Sequence, residues 1–439
     1  MLTAEMNARV TQVGPGTACG NLLRQYWQPI ALSEELEGPR PLKPVRLFGE
    51  NLVLFRDEAQ QLGLIDRHCC HRGADLAFGR LEDGGIRCPF HGWLYDVGGA
   101  CLEQPAEPAS STFYRKVRQT AYPVRECNGM IFAYLGAGAA PALPKIDAIA
   151  APAAYSFAFK GLIEANWLQA LEVGIDPAHA SYLHRFFEDE DEENYGQQFG
   201  AKAADTDIPV TKVLRNYATP EIDVEEAPYG LRIFARRELN DRDSHLRVTN
   251  LVFPNAFMIP MSNDMTITQW HVPVDDESNY WYAMFTDYRQ PVDQQTMRDQ
   301  RLQSCTLPDY RSLKNRENDW GYDEAEQRSK TYTGMGRDIN VHDQWAVESP
   351  GPIQDRSKEH LGSTDKAIIA NRKLLIRSMD LVEEGNAAPF NTDANGEGWE
   401  DLLAIDTIVP SASWRSAWRD HEAKRRGESP WAAPQQAAE

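Results

Sequence analysis

Four residues in two short loops constrain this chain more than any other feature: Cys69-x-His71 and, after the sixteen residues 72–87, Cys88-x-x-His91. Each pair offers one thiolate and one imidazole. That donor set suits a [2Fe–2S] cluster whose two thiolates hold one iron and whose two imidazoles hold the other, an arrangement easier to reduce than an all-thiolate cluster. The neighbours suit the same task. Arg72-Gly73 and Gly92-Trp93 follow the two histidines, and glycine permits the tight left-handed turns that wrap a cluster. Backbone N–H groups in such turns can point at the sulfurs and tune the potential.

A structural zinc site fits less well, because it pairs like with like, two cysteines and then two histidines. The mixed pattern is that of a Rieske-type cluster. Cys69 is the expected ligand of the first loop, since it stands two residues before His71, whereas Cys70 is adjacent and faces the same metal less easily. Cys70 is expected to be a small buried or half-buried thiol.

The chain has 439 residues, enough for two or three domains with substantial cores. Its net charge is −20, and no basic block precedes Lys424-Arg425-Arg426. Nucleic acid and anionic membrane are thereby disfavoured as partners. Two cysteines belong to the cluster, and the other five, Cys19, Cys70, Cys101, Cys127 and Cys305, show no disulfide spacing, which points to a reducing (bacterial) cytoplasm. The N-terminal residues carry no signal-peptide pattern and no stretch is long enough to span a membrane.

A short helix is expected before Gly14-Pro15-Gly16, capped by Thr3. From Trp27 strands take over, with a hairpin at Gly49-Glu50-Asn51, and continue to Leu135. Residues 136–156, rich in Ala, Pro and Gly, read as a domain boundary. Glu164 to His184 reads as a helix interrupted by Pro177. Strand-like segments at 229–238, 245–254, 256–261, 265–274 and 280–287 predict an antiparallel sheet, with a turn at Asp275-Asp276-Glu277-Ser278. Helices are expected at 291–304, 338–349 and 365–384, and the final fifty or so residues are expected to wrap the surface or trail off.

The interrupted helix carries Glu172-x-x-x-Asp176-x-x-His179-x-x-x-x-His184. Histidines five apart do not share a face of a regular α-helix. A break at Pro177 could bring them together. Two imidazoles and one carboxylate form the facial triad of mononuclear non-haem Fe(II) oxygenases, which leaves positions open for O₂. The best candidate for the carboxylate is Asp343, in Asn340-Val341-His342-Asp343-Gln344-Trp345, a polar cluster inside an otherwise apolar helix. Periodicity leaves open a simpler role for Asp343 as a cap or surface ion-pair partner. Glu172, one turn before Asp176, also has two readings: lining an iron pocket or delivering protons, and pairing with a nearby cation.

With both motifs in view, the chain resembles the α-subunits of Rieske non-haem iron ring-hydroxylating oxygenases, in the phthalate-dioxygenase and O-demethylase branch. The resemblance implies an α+β chain. Residues 1–24 would pack as an N-terminal helix on the catalytic domain. Residues 25–140 would form an all-β Rieske domain. Residues 141–439 would form a catalytic domain in which helices cover a large antiparallel sheet (helix-grip, START-like). The family's D-x-x-H-x-x-x-x-H is matched by Asp176, His179 and His184. Its D-x-x-x-x-E is matched by Asp343 and Glu348, which makes Asp343 the implied iron carboxylate. Cys70 departs from the family's proline. Ala74 and Phe90 stand where respiratory Rieske proteins carry an extra disulfide.

The resemblance also implies a homotrimer, or a hexamer built of trimers, in which one subunit's cluster serves its neighbour's iron. His91 of one chain would bond Asp176 of the next, and Asp176 would orient His179, a carboxylate fixing a tautomer while it bridges two metal sites. Electrons would come from NAD(P)H through a separate reductase, with or without a ferredoxin. No glycine-rich dinucleotide fingerprint opens a helix after a strand here.

The implied reaction is O-demethylation of a methoxylated, lignin-derived biaryl aromatic acid, the alternative being ring hydroxylation of a phthalate-like acid. An aromatic acid needs a cationic clamp, and the guanidinium fork suits a carboxylate. Candidates are Arg232, Arg236, Arg237 and Arg247, with Arg232 and Arg236 on one strand face and Arg237 on the other. The runs Phe257-Met258-Ile259-Pro260-Met261 and Thr268-Gln269-Trp270 read as core or as pocket lining. The acidic run 188–193 reads as a solvated loop, a lid or a docking element. A rival class, a Rieske electron carrier without catalysis, would need only the first third of the chain and would bind two irons rather than three.

Overall fold

The computed structural model describes residues 2–187, 210–262 and 264–432. Its N-terminal part is built from small antiparallel sheets. Leu42–Leu47, Glu50–Arg56, Leu62–Asp66 and Ala121–Tyr122 make one. Arg80–Glu82, Gly85–Arg87, Leu94–Tyr95 and Cys101–Glu103 make the second. In the third, Met130–Ala133 pairs with Gln28–Leu32 and Val124–Cys127. The first hairpin turns on Phe48-Gly49, one residue earlier than expected, with φ of +52° and +77°. Two left-handed residues are what a tight hairpin turn demands. Val53, Phe55, Ile65, Leu76, Ile86 and Tyr95 pack into one core. The cluster loops hang from it.

The rest of the chain winds around a ten-stranded sheet. In spatial order nine of its strands run Glu221–Ala227, Gly230–Glu238, Asp243–Val252, Ala256–Pro260, Met265–Pro273, Asn279–Asp287, Ser156–Ile163, then the short Arg311–Ser312 and Cys305–Thr306; the tenth, Ile405–Pro410, pairs with Asp243–Val252 off this path. The Asp275 turn forms as expected, its carboxylate accepting from Glu277 N–H, Ser278 N–H and Ser278 Oγ. Strand alternation sorts the side chains. Along Met265–Pro273, Trp270 and Val272 enter the main core, while Ile267, Gln269 and His271 face a cavity. Gly174 ends helix Trp167–Gly174 against the sheet, because a Cβ there would lie 2.0 Å from the Phe257 ring.

Ser156–Ile163, to which the sequence assigned no element, is an inner strand between Asn279–Asp287 and Arg311–Ser312; its buried positions fall on both faces, so it shows no alternation. One expectation needs correction. Residues 390–432 neither trail off nor merely wrap the surface. Ala256–Pro260 pairs only with Asn250 to Val252 of its neighbour, and Ile405–Pro410 fills the open half beside Asp243 to Val248. Helix Trp414–Glu428 then buries Trp418 against Phe234, Leu246 and Val248. Among the described residues, no helix is long and apolar enough to cross a membrane.

Candidate active site

The two cluster loops close in the same way. Cys69 N–H donates to Ala74 O and Gly73 N–H to Cys69 O, both at 2.8 Å. In the second loop, Cys88 N–H donates to Trp93 O (2.8 Å) and Gly92 N–H to Cys88 O (3.0 Å). Gly73 and Gly92 take φ of +75° and +76°, the left-handed turns that glycine alone adopts freely. Both thiols are buried. The His71 and His91 rings stand 4.6 Å apart, and His71 stacks on Trp93. His91 Nδ1 is buried with no hydrogen-bond partner among the described residues, which fits an atom reserved for a metal. Two thiols, two adjoining imidazoles and that orphaned nitrogen fit a Rieske cluster.

Tyr95, fully buried, sets its hydroxyl 3.1 Å from Cys69 Sγ and 3.4 Å from Cys70 Sγ. Cys70 is exposed, contrary to expectation, because Cys69 takes the inward position and Cys70 N–H is tied to Gln119 Oε1 at 2.8 Å. Gln119 Nε2 also donates to Asp66 O and His68 O. It pins the loop from a distant segment, and nothing in its sequence context announces that.

At the second site the helix stops at Gly174 and resumes as Ala180–Leu183. His179 and His184 stand at the two ends of this one turn, as its N-cap and C-cap, and their imidazoles converge on one point. His184 Nε2 lies 3.2 Å and His179 Nε2 3.7 Å from Asp343 Oδ1. Ligand atoms of the three residues all fall within 4.8 Å of one another. Asp343 Oδ1 is buried without a hydrogen-bond partner among the described residues, so the donor set fits a cation. Burial alone would raise the Asp343 carboxyl, but His184 and His179 hold it below the usual range. Burial lowers His179, which favours the neutral ring a metal needs.

Each imidazole is fixed from behind. His179 Nδ1 bonds the Asp176 carbonyl and lies 3.9 Å from its carboxylate. His342 Nε2 faces Gly336 O at 2.9 Å and its Nδ1 faces His184 Nδ1 at 3.5 Å. The carbonyl makes His342 a donor at Nε2, so His184 donates to His342 Nδ1 and keeps Nε2 open for the metal. The sequence reading passed over His342, although it adjoins Asp343.

Glu172 does not line the cavity. It is buried in a charge cluster, 3.0 Å from Arg356 and 2.5 Å from Arg372, so the ion-pair reading is the one realised. Glu348 anchors the end of helix Ile339–Glu348: its carboxylate accepts from Glu164 N–H (2.9 Å), Gln344 Nε2 (3.0 Å) and Trp320 Nε1 (2.8 Å).

A cavity of about 470 Å³ lies between the histidine segment and the sheet, within the size range of sites for small organic ligands. Phe257, Ile259 and Met261 line it, whereas Met258 and Trp270 belong to the core, so one run served both purposes. Register puts Ala235 opposite Arg247 and Arg237 opposite His245, so Arg237 and Arg247 share a face. Arg247 lines the cavity, held by Asp406 Oδ2 (2.6 Å) and Pro260 O (3.0 Å). Arg237 braces the histidine segment through Pro177 O and Ser181 Oγ. Arg232 and Arg236, both proposed from sequence for substrate, fall on the far face by the two-residue period of a strand. Arg232 pairs with Glu225 and Asp401, and Arg236 with Glu221 and Glu238. Arg301 and Arg337 also line the cavity and were not anticipated. The acidic run 188–193 lies outside the described residues.

Residues 26–121 match the Rieske [2Fe-2S] domain family, and residues 134–438 the LigXa C-terminal domain-like family. The 5,5′-dehydrodivanillate O-demethylase oxygenase subunit of Sphingobium sp. (strain NBRC 103272 / SYK-6) is 33% identical over 396 residues, 88% of this chain and 82% of that protein. The phthalate 4,5-dioxygenase oxygenase subunit of Pseudomonas putida is 34% identical over 444 residues, 97% of this chain and 95% of that protein. The solved reduced complex between oxygenase and ferredoxin in carbazole 1,9a-dioxygenase shares the fold, with a TM-score of 0.52 at 19% identity over 85% of this chain and 93% of that one. Loops, triad and sheet on one side, and two full-length relatives on the other, lead to one family: the chain belongs to the Rieske non-haem iron oxygenases, as the oxygenase subunit of a multicomponent system that uses a [2Fe–2S] cluster, mononuclear iron and O₂ and draws electrons from a separate reductase.

Proposed function

We propose that this subunit O-demethylates a methoxylated aromatic acid of the lignin-derived biaryl kind. The observation that carries the reading is the cavity itself, roomy and largely apolar, with the His179–His184–Asp343 constellation on one wall and the Arg247 guanidinium on another. The O-demethylase relative supports it. Cys69, His71, Cys88 and His91 hold the cluster, and His179, His184 and Asp343 hold the mononuclear iron. When bound, these groups supply stepwise electron delivery and reductive O₂ activation. The chain's own side chains do the rest. Asp176 and His342 keep the iron-facing nitrogens unprotonated. Arg247, with N–H donors left beyond those taken by Asp406 and Pro260, draws the substrate carboxylate to the sheet side. The apolar wall excludes water around the ring.

The working unit is a ring of subunits, in which His91 of one chain bonds Asp176 of the next. Residues 1–24, which carry two helices, Ala4–Thr11 and Ala18–Leu23, rather than the one expected, serve as an N-terminal helical segment, residues 25–140 as the cluster domain and residues 141–439 as the catalytic domain. A ferredoxin partner is supported by analogy with the carbazole system, and a bacterial cytoplasmic setting by five cysteines that are neither cluster ligands nor disulfide-bonded.

The phthalate relative favours ring hydroxylation as a second reading. Formaldehyde separates the two, because a hydroxylated methoxy carbon gives a hemiacetal that collapses to phenol and formaldehyde. The metallated subunit with a surrogate reductase should release formaldehyde in step with O₂ uptake from methoxylated aromatic acids. A diol formed from a phthalate, with no formaldehyde from any methoxylated acid, would replace this reading by the second.

A further inference from the structure

Two polar groups on the sheet side of the cavity belong to neither metal centre. Strand Met265–Pro273 turns Gln269 and His271 to the cavity between the apolar Ile267, Phe257 and Trp281. Polar groups in such a wall are satisfied by the protein or reserved for a ligand.

The hydrogen bonds fix how each group points. Asn279 Nδ2 donates to Ala165 O at 2.8 Å, so Asn279 Oδ1 is the atom that faces His271 Nδ1 at 3.2 Å. An oxygen acceptor there places the ring proton on Nδ1. Burial pushes His271 down to about 4, so the ring is neutral and Nε2 offers a lone pair. Gln269 therefore presents its amide nitrogen to Nε2, at 3.1 Å. Flipping the amide would set two acceptors against each other, which costs free energy in a buried site. The Gln269 oxygen is thus turned away from His271, on a side chain that is only partly buried. It makes no hydrogen bond among the described residues.

We propose that Gln269 Oε1 is a substrate-recognition acceptor, which takes the O–H of a phenolic hydroxyl on the aromatic ring. The subunit then prefers hydroxy-methoxy aromatic acids to the same acids without the hydroxyl. The proposal rests on the cavity being the aromatic-acid site and deepens that reading. Arg247 supplies donors and Gln269 an acceptor, so the cavity distinguishes the two oxygen functions of such a ring. Asn279 and His271 are positioning residues. They do not touch the substrate; they decide which end of the Gln269 amide does.

The test is equilibrium binding, by calorimetry, of vanillate and of meta-methoxybenzoate to the fully metallated protein without reductant. Wild type should bind vanillate about five- to tenfold more tightly, the worth of one net hydrogen bond. Gln269→Leu should bring that ratio to about one. Gln269→Met, of similar length, should do the same if the leucine variant folds poorly, with the cluster spectrum as the check on folding. His271→Phe, which frees the amide to flip, should lower the ratio without reversing it. Equal affinity in wild type, failure to bind either acid, or an unchanged ratio in a folded Gln269 variant would overturn the proposal. Because binding is read without turnover, absence of formaldehyde would count against O-demethylation and leave the role of Gln269 standing.

Discussion

The two histidines proposed to face iron show how a metal site is set by atoms that would never touch the metal. His184 is steadied by His342 at 3.5 Å, and loss of such an outer partner typically costs 10–100-fold in metal affinity, that is, about one to two orders of magnitude. His342→Phe should therefore lose mononuclear iron by about that factor and keep its cluster, which iron and sulfide assays on the same sample will show. Asp176→Asn should keep both metals and lose coupled turnover; substrate oxidation at the wild-type rate would rule out the bridge between subunits. Most of the proposed ligands were legible in the sequence because each motif carries its own local geometry: Cys69-x-His71 and Cys88-x-x-His91 lie within single turns, and Pro177 announces the break ahead of His179 and His184; Asp343 joins them from a distant helix that no local pattern ties to them. Gln119 and His342 act through distant or unpatterned contacts and were not legible. Strand alternation correctly separated Arg232 and Arg236 from Arg237, but which face meets the cavity is a tertiary fact.

Among the elements, the strand Ile405–Pro410 has the largest consequence for the cavity. Its Asp406 is fully buried and holds Arg247 and His245 together. Burial alone would raise this carboxyl, but His245 and Arg247 pull it far below the carboxylate range. A depressed folded-state pKa contributes stability above the unfolded value, about 3.9, and that contribution fades as pH falls below it. Thermal unfolding of wild type should thus drop on acidification from about pH 4 downward. Asp406→Asn should start lower at neutral pH and decline less steeply, since it has no such proton to take up. Asp406→Ala, which strands Arg247 against the sheet, should cost about 3–5 kcal/mol. The strand escaped sequence reading because Gly, Pro and Ala punctuate its surroundings. What calls for it is a half-empty edge elsewhere in the sheet, and no local pattern records that vacancy.

At the scale of the molecule, the cluster part and the sheet part are fastened by charge as well as by packing. Glu35 bonds the buried Lys160 at 2.7 Å and Lys43 at 2.7 Å, and burial brings Lys160 down to about 8. This fastening holds one chain together, while the proposed electron route joins two chains. Mixing makes the difference measurable. Cys88→Ser (no cluster) and His184→Ala (no mononuclear iron) should each be inactive. Rings assembled from equal amounts of both should regain about a quarter of wild-type activity, the chance that an intact cluster adjoins an intact iron site in a closed ring. No recovery in mixed rings would place the electron route inside one chain.

The late strand also sets a timetable for translation. Arg247 leaves the ribosome 159 residues ahead of Asp406, an interval of roughly 8–30 s at about 5–20 residues per second. Through that interval the nascent sheet carries an uncompensated guanidinium on an open edge. A ribosome that stalls before residue 406 would thus release a chain with both sets of metal ligands already made and its substrate cavity unfinished.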